Sequence, residues 1–147
     1  MRLFLDTEFN GFRGELISLA LVPENDFPVW YEVKERENGS LDTWVLMHVM
    51  PVLKKGPLRP LLFKQSFQRY ISQFEKPTIV CDWYSDAVHF CDCLNGPTHA
   101  TSLSLEFTIE VISTNNIISE IPHNALADAQ ALKKWFLNGG RANDIAC

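Results

Sequence analysis

The chain opens with an apolar run that ends in two acids, MRLFLDTEF, and this junction limits the folds open to it. Leu3, Phe4 and Leu5 follow one another over residues 2–6, the pattern of a strand buried on both faces. Asp6 and Glu8 come next, with no turn residue between. A buried carboxylate is costly unless it is paired or bound to a cation. The strand must therefore end at a surface or at a positive partner. Its two acids, two residues apart, face the same side.

The pattern beyond this strand is that of a mixed α/β domain. Asn10-Gly11 and Arg13-Gly14 mark a turn. ELISLALV (15–22) reads as a second buried strand. PVWYEVKE reads as a third, with Val29, Tyr31 and Val33 on one face. Together they predict an antiparallel meander. Ser40 or Asp42 is placed to cap a helix carrying Trp44, Val45 and His48, which Pro51 ends or kinks. KKGPLRP reads as a loop. KQSFQRYISQFEK sets Phe67, Tyr70, Ile71 and Phe74 along one helical stripe, and Pro77 stops it. TIVCDW predicts a strand. YSDAVHFCDCL predicts a helix with Ala87, Val88, Cys91 and Leu94 on one side, ended by Asn95-Gly96-Pro97. LSLEFTIEVI alternates like a strand but fits a helix as well. Asn115-Asn116 marks a turn. HNALADAQALKKWF predicts a last helix, capped by Asn124, with Leu126, Ala129, Leu132, Lys133 and Phe136 on one stripe.

The 147 residues are read as one domain, 1–147, and 46% hydrophobic residues fit a packed core rather than a disordered chain. No run approaches the roughly 18 apolar residues of a membrane span. The N-terminus reaches Asp6 too soon for a signal-peptide core, so a cytoplasmic location is expected. Cys81, Cys91, Cys93 and Cys147 are expected as reduced thiols. His89-x-Cys91-x-Cys93 lacks the second half of a zinc site. The net charge of −5 argues against a module that merely binds duplex DNA. It argues less against an enzyme whose acids hold cations.

Three places set an acid where an apolar element stops. They are Asp6-Thr7-Glu8, the junction CDWYSD with Asp82 and Asp86, and the start of the last helix, with His123 and Asp128. Taken singly each has a plain reading. Asp86 complements a helix dipole, Asp128 is a solvated or capping acid, and His123 is a loop residue.

Taken together, the constellation resembles the DEDD superfamily of 3′→5′ exonucleases, in its histidine subclass. DTEF matches that family's Asp-x-Glu at the end of its first strand. His123-Asn-Ala-Leu-Ala-Asp128 matches its histidine, four residues, aspartate. Its middle motif runs from Asn to Asp with an aromatic before the Asp. Here Asp82 stands at the Asn and Ser85 at the aromatic, with Asp86 in the acidic position, favoured over Asp82 as the metal acid. The order holds across about residues 3–136. The short chain, ELISLALV and the Trp-bearing helix are closest in look to a small bacterial and phage exoribonuclease branch.

The resemblance implies a ribonuclease-H-like mixed sheet flanked by helices, and a metal-dependent exonuclease. Two Mg²⁺ or Mn²⁺ ions would be held by Asp6, Glu8, Asp86 and Asp128. Two cations roughly 3.5–4 Å apart serve both attacking and leaving oxygens of a phosphodiester, and hard cations take carboxylate oxygens. His123 would be the general base, since histidine exchanges protons near neutrality, on a loop able to swing towards substrate. Glu8 would be catalytic as well as a ligand, with the 3′-hydroxyl docking beside it. Thr7, Phe9 and Trp83 would touch the terminal nucleotide, with Tyr84 a further stacking surface. The expected partner is a single-stranded 3′ end, RNA favoured, with 5′-mononucleotides as products and a homodimer compatible with the branch. The alternatives are a single-stranded DNA exonuclease and an inert DEDD-like interaction or nucleic-acid-binding module.

Overall fold

The computed structural model describes residues 1–37, 39–96, 101–114 and 117–140. β1 (Arg2–Phe9), β2 (Leu16–Pro23) and β3 (Trp30–Val33) form the expected antiparallel meander. β4 (Thr78–Cys81) joins the free edge of β1 in parallel, and β5 (Thr108–Val111) joins β4 in parallel. The sheet order is β3-β2-β1-β4-β5. The helices are α1 (Thr43–His48), α2 (Pro60–Ile71), α3 (Tyr84–Leu94) and α4 (Ala125–Leu137), with a 3₁₀ turn at Met50–Val52. The described residues thus form an α/β domain with a five-stranded mixed sheet and four α-helices. No helix among them is long and apolar enough to cross a membrane.

The alternation of β1 divides the core. Leu3 and Leu5 face α2 and α3, joining Phe63, Phe67, Ile71 and Phe90. Phe4 faces the other way, joining Ala125, Ala129 and Leu132 of α4. Asp6 and Glu8 continue the α4 side and Thr7 the α3 side. A smaller cluster of Ile17, Val33, Val45, Val49 and Leu53 seats α1 on the meander.

Several elements differ from the sequence expectation. α2 begins at Pro60, inside the stretch read as loop, because proline at the first helical position surrenders an amide that has no partner there. It ends at Ile71, yet Phe74 stays buried in the turn beyond. β3 begins at Trp30, leaving Val29 exposed, and β4 stops at Cys81, leaving Asp82 and Trp83 in the turn before α3. α3 has the expected bounds, and Leu94 is buried with Ala87 and Cys91 packed against the core as expected, but the face is turned so that Asp86, Phe90 and Cys93 are buried and Val88 is 56% exposed. Asp86 decides that rotation, since its carboxylate is bonded beneath the strand ends. The ambiguous 103–112 stretch supplies only the four residues of β5. In α4, Ala129 and Leu132 are buried as expected, and the Lys133 ammonium donates to the carbonyl oxygen of Pro23 at 2.6 Å, tying the helix to the end of β2. Cys81, Cys91 and Cys93 are free thiols. The turn at Asn115-Asn116, Pro97 and Cys147 lie outside the described residues.

Candidate functional site

The end of β1 sits between the first turns of α3 and α4. A break in register between Glu8 and Phe9, where Glu8 pairs Ser18 and Phe9 pairs Leu16, bends the strand as it leaves the sheet. Asp86 opens α3 and Asp128 opens α4. One carboxylate oxygen each from Asp6, Glu8 and Asp128 lie within 4.8 Å of one another. One each from Asp6, Asp82 and Asp86 do the same. The four acids expected from the sequence are therefore brought together, and Asp82 joins them as a fifth. Asp6 belongs to both triads.

Three of the acids are held by local hydrogen bonds. The Thr7 hydroxyl donates to Asp86 Oδ1 at 2.5 Å in a buried hydrogen bond. Thr114 donates to Asp82 Oδ2 at 3.1 Å. The backbone N–H of His123 donates to Asp128 Oδ2 at 2.9 Å. That bond explains the spacing of histidine and aspartate: His123 takes a left-handed backbone (φ 66°), closing the turn that leads into α4. Asn124 then caps the helix by accepting the Ala127 N–H, while its own amide donates to the Val52 carbonyl at 2.7 Å.

The electrostatics are those of crowded acids. Burial holds the Asp6 carboxyl well above its usual range, with the carboxylates of Asp86, Glu8, Asp128 and Asp82 adding to the effect. Burial, then Asp128 and Asp86, push Glu8 up to about 8. Asp86 rises to about 7, burial outweighing the Thr7 hydroxyl that opposes it. Asp128 is raised by burial, which outweighs the opposing hydrogen bonds from the Ser119 side chain and the His123 backbone. Asp6 Oδ2 is buried without a hydrogen-bond donor among the described residues. An all-oxygen donor set with a buried, unpartnered carboxylate oxygen at its centre fits a hard divalent cation such as Mg²⁺ or Mn²⁺. No cysteine or histidine joins such a group among the described residues.

Asp6, Glu8, Asp82 and Asp86 line a cleft of about 510 Å³, which Phe9, Phe12, Trp44 and Trp83 also border. Phe9 lines the cleft, its ring 5.0 Å from that of His89. Trp83 is half exposed, donates from Nε1 to Ser85 Oγ at 3.1 Å and stacks on Tyr84 at 5.1 Å. Thr7 lines the cleft, but its hydroxyl is committed to Asp86, so it positions an acid. The His123 imidazole packs edge-on against Trp44 with centroids 4.7 Å apart, and Trp44 stacks on His48 at 4.8 Å. The indole thus stands between the imidazole and the open cleft.

Asp82, Trp44 and Phe12 are site residues that the sequence reading does not assign. Asp82 carries the same signal as Asp6, an acid at the end of an apolar strand. Phe12 is an aromatic residue amid turn residues, a place with no core to enter. Comparisons of the chain with protein-family models, with curated proteins and with solved structures found no match.

Proposed function

We propose that this chain is a metal-dependent 3′→5′ exonuclease of the DEDD type, with a ribonuclease-H-like fold, that releases 5′-mononucleotides from single-stranded ends, RNA before DNA. The mixed five-stranded sheet with helices on both faces is compatible with that fold. The observation that carries the reading is the pair of carboxylate triads sharing Asp6, whose Oδ2 is buried and unpartnered.

Glu8 and Asp128 would hold one cation with Asp6, and Asp82 and Asp86 a second. Bound divalent cations would neutralise the phosphate oxygens, acidify water and stabilise the leaving oxygen. The residues of the chain do the rest. Phe9 and Trp83 offer the terminal base apolar faces. His123 accepts a proton from the attacking water as its oxygen bonds to phosphorus. The bond from phosphorus to the 3′-oxygen of the preceding nucleotide breaks, and that oxygen leaves with a proton drawn from solvent. The phosphate stays on the released nucleotide. Trp44 must shift, or the His123 turn must, for the imidazole to reach the water.

The test is incubation of end-labelled RNA and DNA oligomers, with a free or phosphorylated 3′ end, in Mn²⁺, Mg²⁺ or EDTA. The expected result is stepwise loss of mononucleotides from free 3′ ends, faster on RNA, abolished by EDTA. A 3′-phosphate should block, because its added charge meets carboxylates. Cleavage of a circular RNA without mononucleotide products would overturn the exonuclease reading.

A further inference from the structure

We infer that the groove beside the carboxylate cleft, between the Phe12–Arg13 loop and Tyr84, receives the second nucleotide of a single strand, with the Arg13 guanidinium on its phosphate. This rests on the exonuclease reading and extends it by one nucleotide.

The loop between β1 and β2 is wound tightly by its own hydrogen bonds. Between β1 and β2, the Asn10 N–H donates to the Glu15 carbonyl at 2.9 Å and the Gly14 N–H to the Gly11 carbonyl at 2.9 Å. The Asn10 side chain donates to the Ser40 carbonyl at 3.0 Å and accepts the Asp42 N–H at 2.8 Å. Gly11 and Arg13 both take left-handed backbone, at φ 70° and 60°. A Cβ on Gly14 would stand 1.8 Å from the Asn10 carbonyl oxygen, so only glycine closes the turn. The result is a firm loop that turns its two large side chains outward. Phe12 is 70% exposed, and the Arg13 guanidinium lies 5.2 Å from its ring centre. Phe12 thus presents an apolar ring to solvent at the mouth of both spaces it lines.

Across from this loop, Trp83 and Tyr84 are both more than half exposed and stack on each other at 5.1 Å, with 23° between the rings. Trp83 faces the carboxylate cleft and Tyr84 the adjacent groove of about 490 Å³, which Arg13, Val88, His89 and Asp92 also line. Phe12 lines both. The two spaces are therefore neighbours along one aromatic path, the form that successive stacked bases require.

Charge gives the path its direction. The walls of the first cleft carry Asp6, Glu8, Asp42, Asp82 and Asp86 and no Lys or Arg. A polyanion entering there meets only acids until cations are present. Arg13 is the guanidinium of the adjacent groove, it makes no ion pair among the described residues, and guanidinium suits phosphate. The cation thus stands one subsite away from the acids.

Two measurements test this. Hydrolysis of the p-nitrophenyl ester of thymidine 5′-phosphate, which carries a single nucleotide, reads the carboxylate site alone. Binding of a fluorescein-labelled trinucleotide in Ca²⁺, against competition by a mononucleotide, reads the groove. In the wild-type protein the trinucleotide should bind about tenfold more tightly than the mononucleotide, and Arg13→Ala or Tyr84→Ala should erase that gain. Arg13→Lys should keep part of it, and Arg13→Ala should lower the salt dependence of trinucleotide binding by roughly one phosphate contact. Ester hydrolysis should stay within about twofold in the two Arg13 variants, as that side chain is exposed and outside the acid cluster. A trinucleotide gain that is absent in the wild type, or untouched by both alanine variants, overturns the groove. Failure of the wild-type protein to hydrolyse the ester in Mn²⁺ overturns the exonuclease reading instead, and the binding measurement judges the groove separately.

Discussion

Without a divalent cation the protein should lose stability as pH rises through neutrality, and a cation should restore it. Glu8 stands at about 8 against its ordinary 4.5, and Asp86 at about 7 against 3.8. An acid whose pKa is higher in the folded state holds its proton more tightly there. Its stabilising contribution is complete below the unfolded value and is lost as pH climbs towards the folded one. For Glu8 that window runs from 4.5 to about 8. One pKa unit is about 1.4 kcal/mol, so the shift bounds the loss at about 5 kcal/mol. Glu8 is raised partly by Asp86 itself, so the two contributions do not add. Solvent reaching the half-buried Glu8 reduces the figure further, and a fall of about 2–4 kcal/mol between pH 5 and 8 is expected. That is a large share of the 5–15 kcal/mol that typically holds a domain together. Urea unfolding in EDTA at intervals over this range measures it. Mn²⁺ at about a hundredfold above its Kd should add about 2.7 kcal/mol. Asp86→Asn should raise stability in EDTA at pH 8 and shrink the gain from Mn²⁺. Stability in EDTA that is flat or rising from pH 5 to 8, or equal unfolding midpoints with EDTA and Mn²⁺ at pH 8, would refute the reasoning.

Three further substitutions separate the roles of the residues. His123→Ala should cut exonuclease turnover by about 10²–10⁴-fold while leaving the stabilisation by Mn²⁺ nearly intact, compared by steady-state rates and thermal shift on the same preparation. Thr7→Val removes the side-chain hydroxyl that donates to Asp86, and should cost about 1–3 kcal/mol in urea unfolding at pH 8, with Thr7→Ser restoring most of it. Asp82→Asn keeps an acceptor for Thr114 but removes one charge, so it should weaken Mn²⁺ binding by calorimetry without lowering stability in EDTA.

Much of the fold is legible in local pattern. Unbroken apolar runs gave β1, β2 and β4, because strands buried on both faces need no alternation. Turn residues placed the hairpins, and the caps at Asp42 and Asn124 are visible as residue types. The misplaced start of α2 and the misplaced face of α3 have a common origin. In each case a residue that looks polar or breaking, Pro60 or Asp86, sits inside the element for a reason set elsewhere. Asp86 points inward because Thr7, seventy-nine residues earlier, bonds it. No periodicity within α3 carries that information. The site divides in the same way. Asp6, Glu8, Asp86 and Asp128 are legible because acids that end apolar elements are few. Weighing Asp82 and Asp86 as alternatives hid the fact that a strand end and the next helical turn can both reach Asp6. Trp44 against His123 and Phe12 between two spaces are contacts made only by tertiary packing.

A purely structural account of these acids meets a difficulty of charge. Asp86 and Asp128 each lie in the first turn of a helix, where the dipole favours a negative side chain. Each helix end amounts to about half a positive charge, so two ends offer about one unit. Five carboxylates share that unit. If the dipoles and hydrogen bonds were sufficient partners, the acids would titrate below their ordinary values, as capped carboxylates do. Asp6, Glu8, Asp86 and Asp128 are all raised, and Asp6 Oδ2 has no donor among the described residues. The backbone thus gathers more negative charge than the described residues neutralise, at the end of the central strand of the sheet, and backs it with buried side chains on both faces. Folding alone gives no reason to keep that arrangement. A bound cation would supply the missing charge, and the same charge is what a phosphodiester would need on entering a cleft whose own walls repel it.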